Sequence, residues 1–317
     1  MENFFIAFKA VLVMAIYALP GYLLMKSKKI NESVIPQLSV LLMYICNSFL
    51  AIYAFGLTKC TNKLLKEIGI FFVVSVFLVL FMLFMTYFIL VKNCTIKKTK
   101  DYDKKEVLYR VATVASSFGN VAFIGIPLIT ALLPNYPQAP LFSLIFTLTN
   151  NFVGYTVASA VITDDKSYIS IKKVILNPAT ISCAIGFLLF FFNVELPYLV
   201  DNSVTALANM STPLCMLIIG MRLGTMKFKS LFTEPVIYLI IVAKQIIMPL
   251  IAFLLIQILP IDENVGKCLF ILSSTPIAAI VLTFSEMLKK GQDSAAKLVV
   301  LGTTGCIITI PVMMLLL

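Results

Sequence analysis

Apolar residues run through this chain in blocks close to the ~20 residues a helix needs to cross ~30 Å of hydrocarbon, with short polar stretches between them. Ten such blocks can be drawn, over residues 3–25, 34–57, 67–91, 106–133, 139–163, 178–194, 198–224, 235–259, 265–288 and 294–316. The pattern predicts an all-α polytopic membrane protein with ten transmembrane helices. Two blocks depart from a plain spanning helix. The fourth carries Ser116-Ser117-Phe118-Gly119-Asn120 and then Gly125-Ile126-Pro127; the ninth carries Ser273-Ser274-Thr275-Pro276-Ile277-Ala278-Ala279. Gly and Pro loosen the i→i−4 ladder, and in hydrocarbon the backbone groups so freed must be met by protein, water or a bound ion. One such block would be explained by a kinked, inert helix. Two of them, at corresponding positions of the chain, predict a pair of interrupted helices.

The chain also reads as doubled. Residues 43–56 (MYICNSFLAIYAFG) line up with 207–220 (LANMSTPLCMLIIG), and Ser116–Gly119 with Ser273–Pro276. Five blocks per half is an odd number, so the second half sits upside down relative to the first: an inverted 5+5 repeat over residues 1–163 and 164–317. Inverted repeats with broken helices at matching positions point to a secondary transporter whose site lies where the breaks meet. If helices 4 and 9 cross near mid-bilayer, their half-helix N-termini present positive dipole ends to an anion.

Composition agrees with a membrane chain and removes several alternatives. Of the 317 residues, 60% are hydrophobic and mean hydropathy is +1.01, more apolar surface than a soluble domain can hide. Met1-Glu2-Asn3 lacks the basic start of a signal peptide, and the first apolar run is long enough to stay as a span. The net charge of +10 would suit a nucleic-acid partner, but the basic residues sit in alternate loops. Lys26, Lys28, Lys29, six Lys within 92–105, Lys166, Lys172, Lys173, Arg222, Lys227, Lys229, Lys289 and Lys290 fall in one set of loops; Lys59, Lys63 and Lys66 fall in the other. This asymmetry places the first set in the cytoplasm and both termini outside, in the cytoplasmic membrane of the cell. Membrane lipid is the expected partner and nucleic acid is not; the 92–105 stretch is a topology-setting loop or a lipid-headgroup patch.

Candidate chemistry is confined to a few polar residues inside the blocks. Asn150-Asn151 lies mid-way along the fifth, with Tyr155 one turn on, and Asn47-Ser48 lies in the second. Amides in hydrocarbon must face protein or water, either as helix–helix hydrogen bonds or as a binding site. Lys244, near the middle of the eighth block, needs a partner or a task, because a charge there costs at least ~2.5–3.5 kcal/mol. It either attracts an anionic substrate or braces the helix crossing; the second is favoured, since helix C-terminal carbonyls attract a fixed cation. Arg110 and Lys297, near block ends, are expected to snorkel. No Asp or Glu lies deep within a block, which leaves a carboxylate-based Na⁺ or H⁺ site unsupported. Seven Cys without a CxxC pair read as packing residues. With no His, no GxSxG, no intramembrane Asp pair and no phosphate-binding loop, neither an enzyme nor a cofactor or metal site is expected.

These residues resemble the auxin efflux carrier family, which includes plant PIN-type carriers and bacterial organic-acid permeases of the malate or malonate type. The resemblance covers nearly the whole chain. It is carried by Gly119-Asn120, Gly125-Ile126-Pro127-Leu128, the polar pair before Tyr155, Lys244 five residues before Pro249, Pro276 with Ala278-Ala279, and Asn177-Pro178. It implies a scaffold domain and a transport domain each built from both repeats, a homodimer, and a small organic anion as substrate. It further implies that Asn120, Asn150, Asn151 and Tyr155 contact substrate, with Gly119, Pro127 and Pro276 at the crossing. Asn47 and Ser48 carry over less directly, since Phe49 stands where a Pro often follows that pair. PIN-type carriers have Pro where this chain has Gly119. A Na⁺-coupled symporter of the bile-acid type shares the doubled plan and is the nearest alternative; a membrane receptor or sensor without transport is a more distant one.

Overall fold

The computed structural model describes residues 1–92, 102–226 and 234–317. Lys97, Lys98, Lys100, Lys227, Lys229 and Cys94, with most of the 92–105 stretch, lie outside the described residues. Within them the protein is all-helical. In chain order the helices are α1 (Glu2–Lys26), α2 (Val34–Gly56), α3 (Asn62–Lys92), α4 (Tyr102–Ala115), α5 (Val121–Leu132), α6 (Ala139–Thr163), α7 (Pro178–Phe191), α8 (Tyr198–Thr225), α9 (Pro235–Ile258), α10 (Glu263–Ser273), α11 (Ile280–Met287) and α12 (Gln292–Met313).

Among the described residues, eight segments are long and apolar enough to cross a membrane: α1, α2, α3, α6, α7 with the short turns before it, α8, α9 and α12. The other two predicted blocks are not continuous helices. Block 106–133 is divided into α4 and α5, and block 265–288 into α10 and α11.

Local sequence sets several of the ends. Thr61 accepts from the Leu64 amide at the start of α3, Asn177 from Ala179 at the start of α7, and Asp262 from Asn264 at the start of α10, each satisfying an N–H that a helix start leaves unpaired. Asn177 is followed by Pro178, which needs no N–H partner in the first turn. What the apolar pattern did not foretell is a π turn inside five of the segments, at Leu42–Cys46, Phe88–Lys92, Val121–Gly125, Gly154–Ala158 and Ala243–Ile247. Such a turn takes in one extra residue and re-aims the side chains after it. Asn47 directly follows the first, while Tyr155 and Lys244 lie inside the fourth and fifth.

The helix contacts fall into two groups, which an extensive contact of α1 with α12 joins. α1 lies along α8, and α2 lies against α7 and α8; on the other side α3 packs on α6, α9 on α10, and α4 on α12. The α1–α8 contact is backbone on backbone: a Cβ added at Gly220 would strike the Ala18 carbonyl, and one at Gly21 the Leu217 carbonyl. Small residues serve helix association in lipid in this way, by letting main chains approach. α5 also touches α1.

Several charges near the segment ends are paired. Arg110 is buried and does not reach freely to the surface as expected; its guanidinium contacts Glu106 Oε1 at 2.8 Å and Asp164 Oδ2 at 2.9 Å and donates to Val161 O at 3.2 Å, tying α4 to α6. Lys297 pairs with Asp293 one turn away at 2.8 Å. Asp165, just beyond α6, accepts from the Ser167 amide, which holds its carboxyl below the usual carboxylate range.

Candidate functional site

The two interruptions, 116–120 and 274–279, lie against each other in the interior. α4 ends because its last polar residues turn back on it: Ser116 Oγ donates to Thr113 O at 2.7 Å and Ser117 Oγ to Val114 O at 3.0 Å. α10 ends in the same manner, with Ser273 and Ser274 hydroxyls donating to Phe270 O and Thr275 Oγ1 to Leu272 O at 2.7 Å. Short hydroxyl side chains thus occupy carbonyls that the next helical turn would otherwise take. The chain then runs extended, and the two extended pieces bond to one another. Asn120 N donates to Pro276 O at 2.8 Å and Ala278 N to Phe118 O at 2.9 Å, around an antiparallel bridge of Gly119 and Ile277.

Several backbone carbonyls at the breaks and just after them are met by side chains from neighbouring helices. Asn150 Nδ2 donates to Gly119 O at 3.0 Å. Lys244, fully buried, donates from Nζ to Ser273 O at 2.7 Å and to Thr275 O at 2.8 Å. Pro127 sits one residue into its helix after the π turn, beyond the break itself. Its missing N–H leaves the carbonyl four residues back, Phe123 O, to accept from Thr212 Oγ1 at 2.8 Å. A dry interior requires this degree of satisfaction, because each orphaned backbone group there costs free energy.

Glycine is needed at position 119 for space. A Cβ there would lie 2.5 Å from Thr275 Oγ1 and 3.1 Å from Lys244 Nζ, so any larger residue would push the two breaks apart.

A cavity of about 130 Å³ opens beside the breaks. Its floor is Gly119, Asn120, Val121 and Ala122 with Ala278 and Ala279; its walls include Asn47 of α2, Asn150 and Asn151 of α6, Asn177 at the start of α7, and Cys215 of α8. At its other end stand Arg222 and Glu286. The lining is mostly apolar, with a handful of amides, the usual make-up of a small-solute site. Among the described residues, three buried polar atoms of its lining have no hydrogen-bond partner: Asn150 Oδ1, an acceptor, and the donors Asn151 Nδ2 and Arg222 Nε. Asn120 Nδ2 has only Cys215 Sγ, at 3.9 Å.

Of the residues singled out from sequence, Asn47, Gly119, Asn120, Asn150 and Asn151 therefore line one cavity. Pro276 joins the breaks but does not line it. Lys244 lies behind Gly119, engaged with carbonyls. Ser48 is half-buried outside the lining. Tyr155 also stands outside it. Its hydroxyl accepts from Asn177 Nδ2 at 2.8 Å, and its ring meets Phe284 edge-on with centroids 4.9 Å apart. Arg222, Glu286 and Cys215 were not anticipated here: Arg222 was counted among the orientation-setting basic residues at the end of block 198–224, and it lies in the last turn of α8; no local signal links it to Glu286.

Residues 163–314 match the family model described as membrane transport protein. Comparison of the chain with curated proteins finds no match.

Proposed function

We propose that this protein, whose residues 163–314 match the membrane transport protein family model and which resembles the auxin efflux carrier family, is a secondary transporter of small organic anions, carboxylates foremost, working by alternating access in the cell membrane. The observation that carries the reading is the pair of broken helices bonded to each other beside a cavity whose buried amides are incompletely used. The arms α5 and α11 begin at the cavity, where Val121, Ala122, Ala279 and Ile280 line it. Helix starts carry partial positive charge and free N–H groups, which favour an anion. Asn151 supplies a further donor, and Asn150 Oδ1 an acceptor for a hydroxyl or N–H on the same solute. In this reading the breaks are the crossing of helices 4 and 9 in a ten-segment inverted repeat, α1, α2, α7 and α8 form the scaffold, and the rest moves against it. Lys244 braces the crossing and leaves substrate to the amides.

Flux of radiolabelled mono- and dicarboxylates into proteoliposomes of the purified protein, with and without Na⁺, tests this. Saturable carboxylate uptake supports it. Uptake strictly dependent on Na⁺ and selective for large amphipathic acids would favour the bile-acid type of symporter, and binding without flux would favour a receptor.

A further inference from the structure

Among the described residues, Arg222 and Glu286 are the two charged side chains on the cavity. Arg222 lies in the last turn of α8 and Glu286 near the end of α11, so the pair bridges the two helix groups at the mouth. Arg222 Nη2 donates to Glu286 Oε1 at 2.7 Å. The two sides of this pair differ in burial, the arginine side chain being 24% exposed and the glutamate 42%. They also differ in how fully they are used. Arg222 Nε is buried and has no hydrogen-bond partner.

That vacancy bears on what the guanidinium can hold. Its Nε and Nη2 donors form one edge, matched to the two oxygens of a carboxylate in a parallel, bidentate pair. Glu286 is recorded on Nη2 alone. A free carboxylate that displaces Glu286 and uncovers this edge can take both donors, and Glu286, 42% exposed where it stands, regains solvent when released. Among the described residues no other cation lines the cavity; Lys244 is committed to the carbonyls of Ser273 and Thr275 behind Gly119.

We propose that Arg222 is the residue that receives the substrate's carboxylate at the mouth of the cavity, and that the incoming anion takes it over from Glu286. This rests on the organic-anion reading above. The exchange also releases the ion pair that joins α8 to α11, so arrival of an anion loosens the mouth.

Equilibrium binding of succinate to the purified protein, with uncharged succinamide as control, tests the exchange. Arg222→Gln should weaken succinate binding about ten-fold or more, the scale of a lost hydrogen bond to a charged group. Arg222→Lys should recover only part, because an ammonium lacks the two-donor edge. Glu286→Gln should act in the opposite direction and tighten succinate binding several-fold, while succinamide responds to none of the three. A fixed structural pair predicts instead that Arg222→Gln and Glu286→Gln weaken binding alike, for charged and uncharged ligand; that result, or wild-type succinate affinity in Arg222→Gln, overturns the proposal. Should the folded wild-type protein bind no carboxylate of a panel from acetate to succinate, the organic-anion reading falls and the exchange falls with it. Binding by wild type that neither variant alters removes the exchange alone.

Discussion

The backbone N–H of Asn120 donates to the carbonyl of Pro276 across 2.8 Å, so a group freed by one helix interruption is satisfied by a group freed by the other. Each break is a liability in hydrocarbon by itself. Together they form a small antiparallel pairing that leaves the N-terminal ends of α5 and α11 facing one cavity. The interior charge of Lys244 belongs to the same arrangement, because it takes the carbonyls that this pairing cannot reach.

Gly119→Ala should destabilise the protein by about 1–3 kcal/mol, the usual cost of forcing extra volume into a packed interior. The added Cβ would press on Thr275 Oγ1 and Lys244 Nζ, and both are held in place, the first by Leu272 O and the second by two carbonyls. The melting temperature of the purified variant measures this; a value equal to wild type would mean that the breaks are loosely joined.

Lys244→Gln should lower stability by roughly 3 kcal/mol or more, the scale of breaking a buried charged interaction from one side. Flux should fall for charged and uncharged substrate analogues alike, since the loss lies in the architecture. An unchanged melting temperature with a loss confined to charged analogues would transfer Lys244 from brace to substrate ligand.

Asn150 and Asn151 should separate from each other. Asn151→Ala removes an unused donor of the cavity and should weaken substrate binding by about 1–3 kcal/mol while leaving stability nearly intact. Asn150→Ala also strips Gly119 O of its partner, so it should lower both affinity and melting temperature. Equal behaviour of the two variants in both measurements would contradict this division.

Membrane orientation follows from the loop charges. In intact cells Asn135→Cys, on the exposed turn between α5 and α6, should react with an impermeant thiol reagent. Lys166→Cys, in the exposed basic loop after α6, should be protected until the membrane is permeabilised. The reverse pattern would invert the orientation.

Much of the architecture was legible in the chain because it depends on local rules. Block length and hydropathy determine which segments can lie in a membrane. The Ser, Gly and Pro clusters at 116–120 and 273–276 mark where those segments stop being helices, since hydroxyls compete for carbonyls and Pro cannot donate. A lone mid-block lysine such as Lys244 announces a partner, because an unpaired charge there is too costly. Which partner it has was decided only by tertiary structure. Lys244 meets Ser273 O and Thr275 O because α9 packs against α10 and the π turn at Ala243–Ile247 re-aims its side chain. Tyr155, implied as a substrate contact by the family resemblance, lies in the π turn Gly154–Ala158, where its hydroxyl accepts from Asn177 of the cavity wall. Arg222 and Glu286 carry no mutual signal in sequence. Periodicity specifies each helix's composition and its buried face, whereas a contact between two helices depends on how each is rotated and how far it is shifted along its axis, and only the packing of the whole bundle sets those.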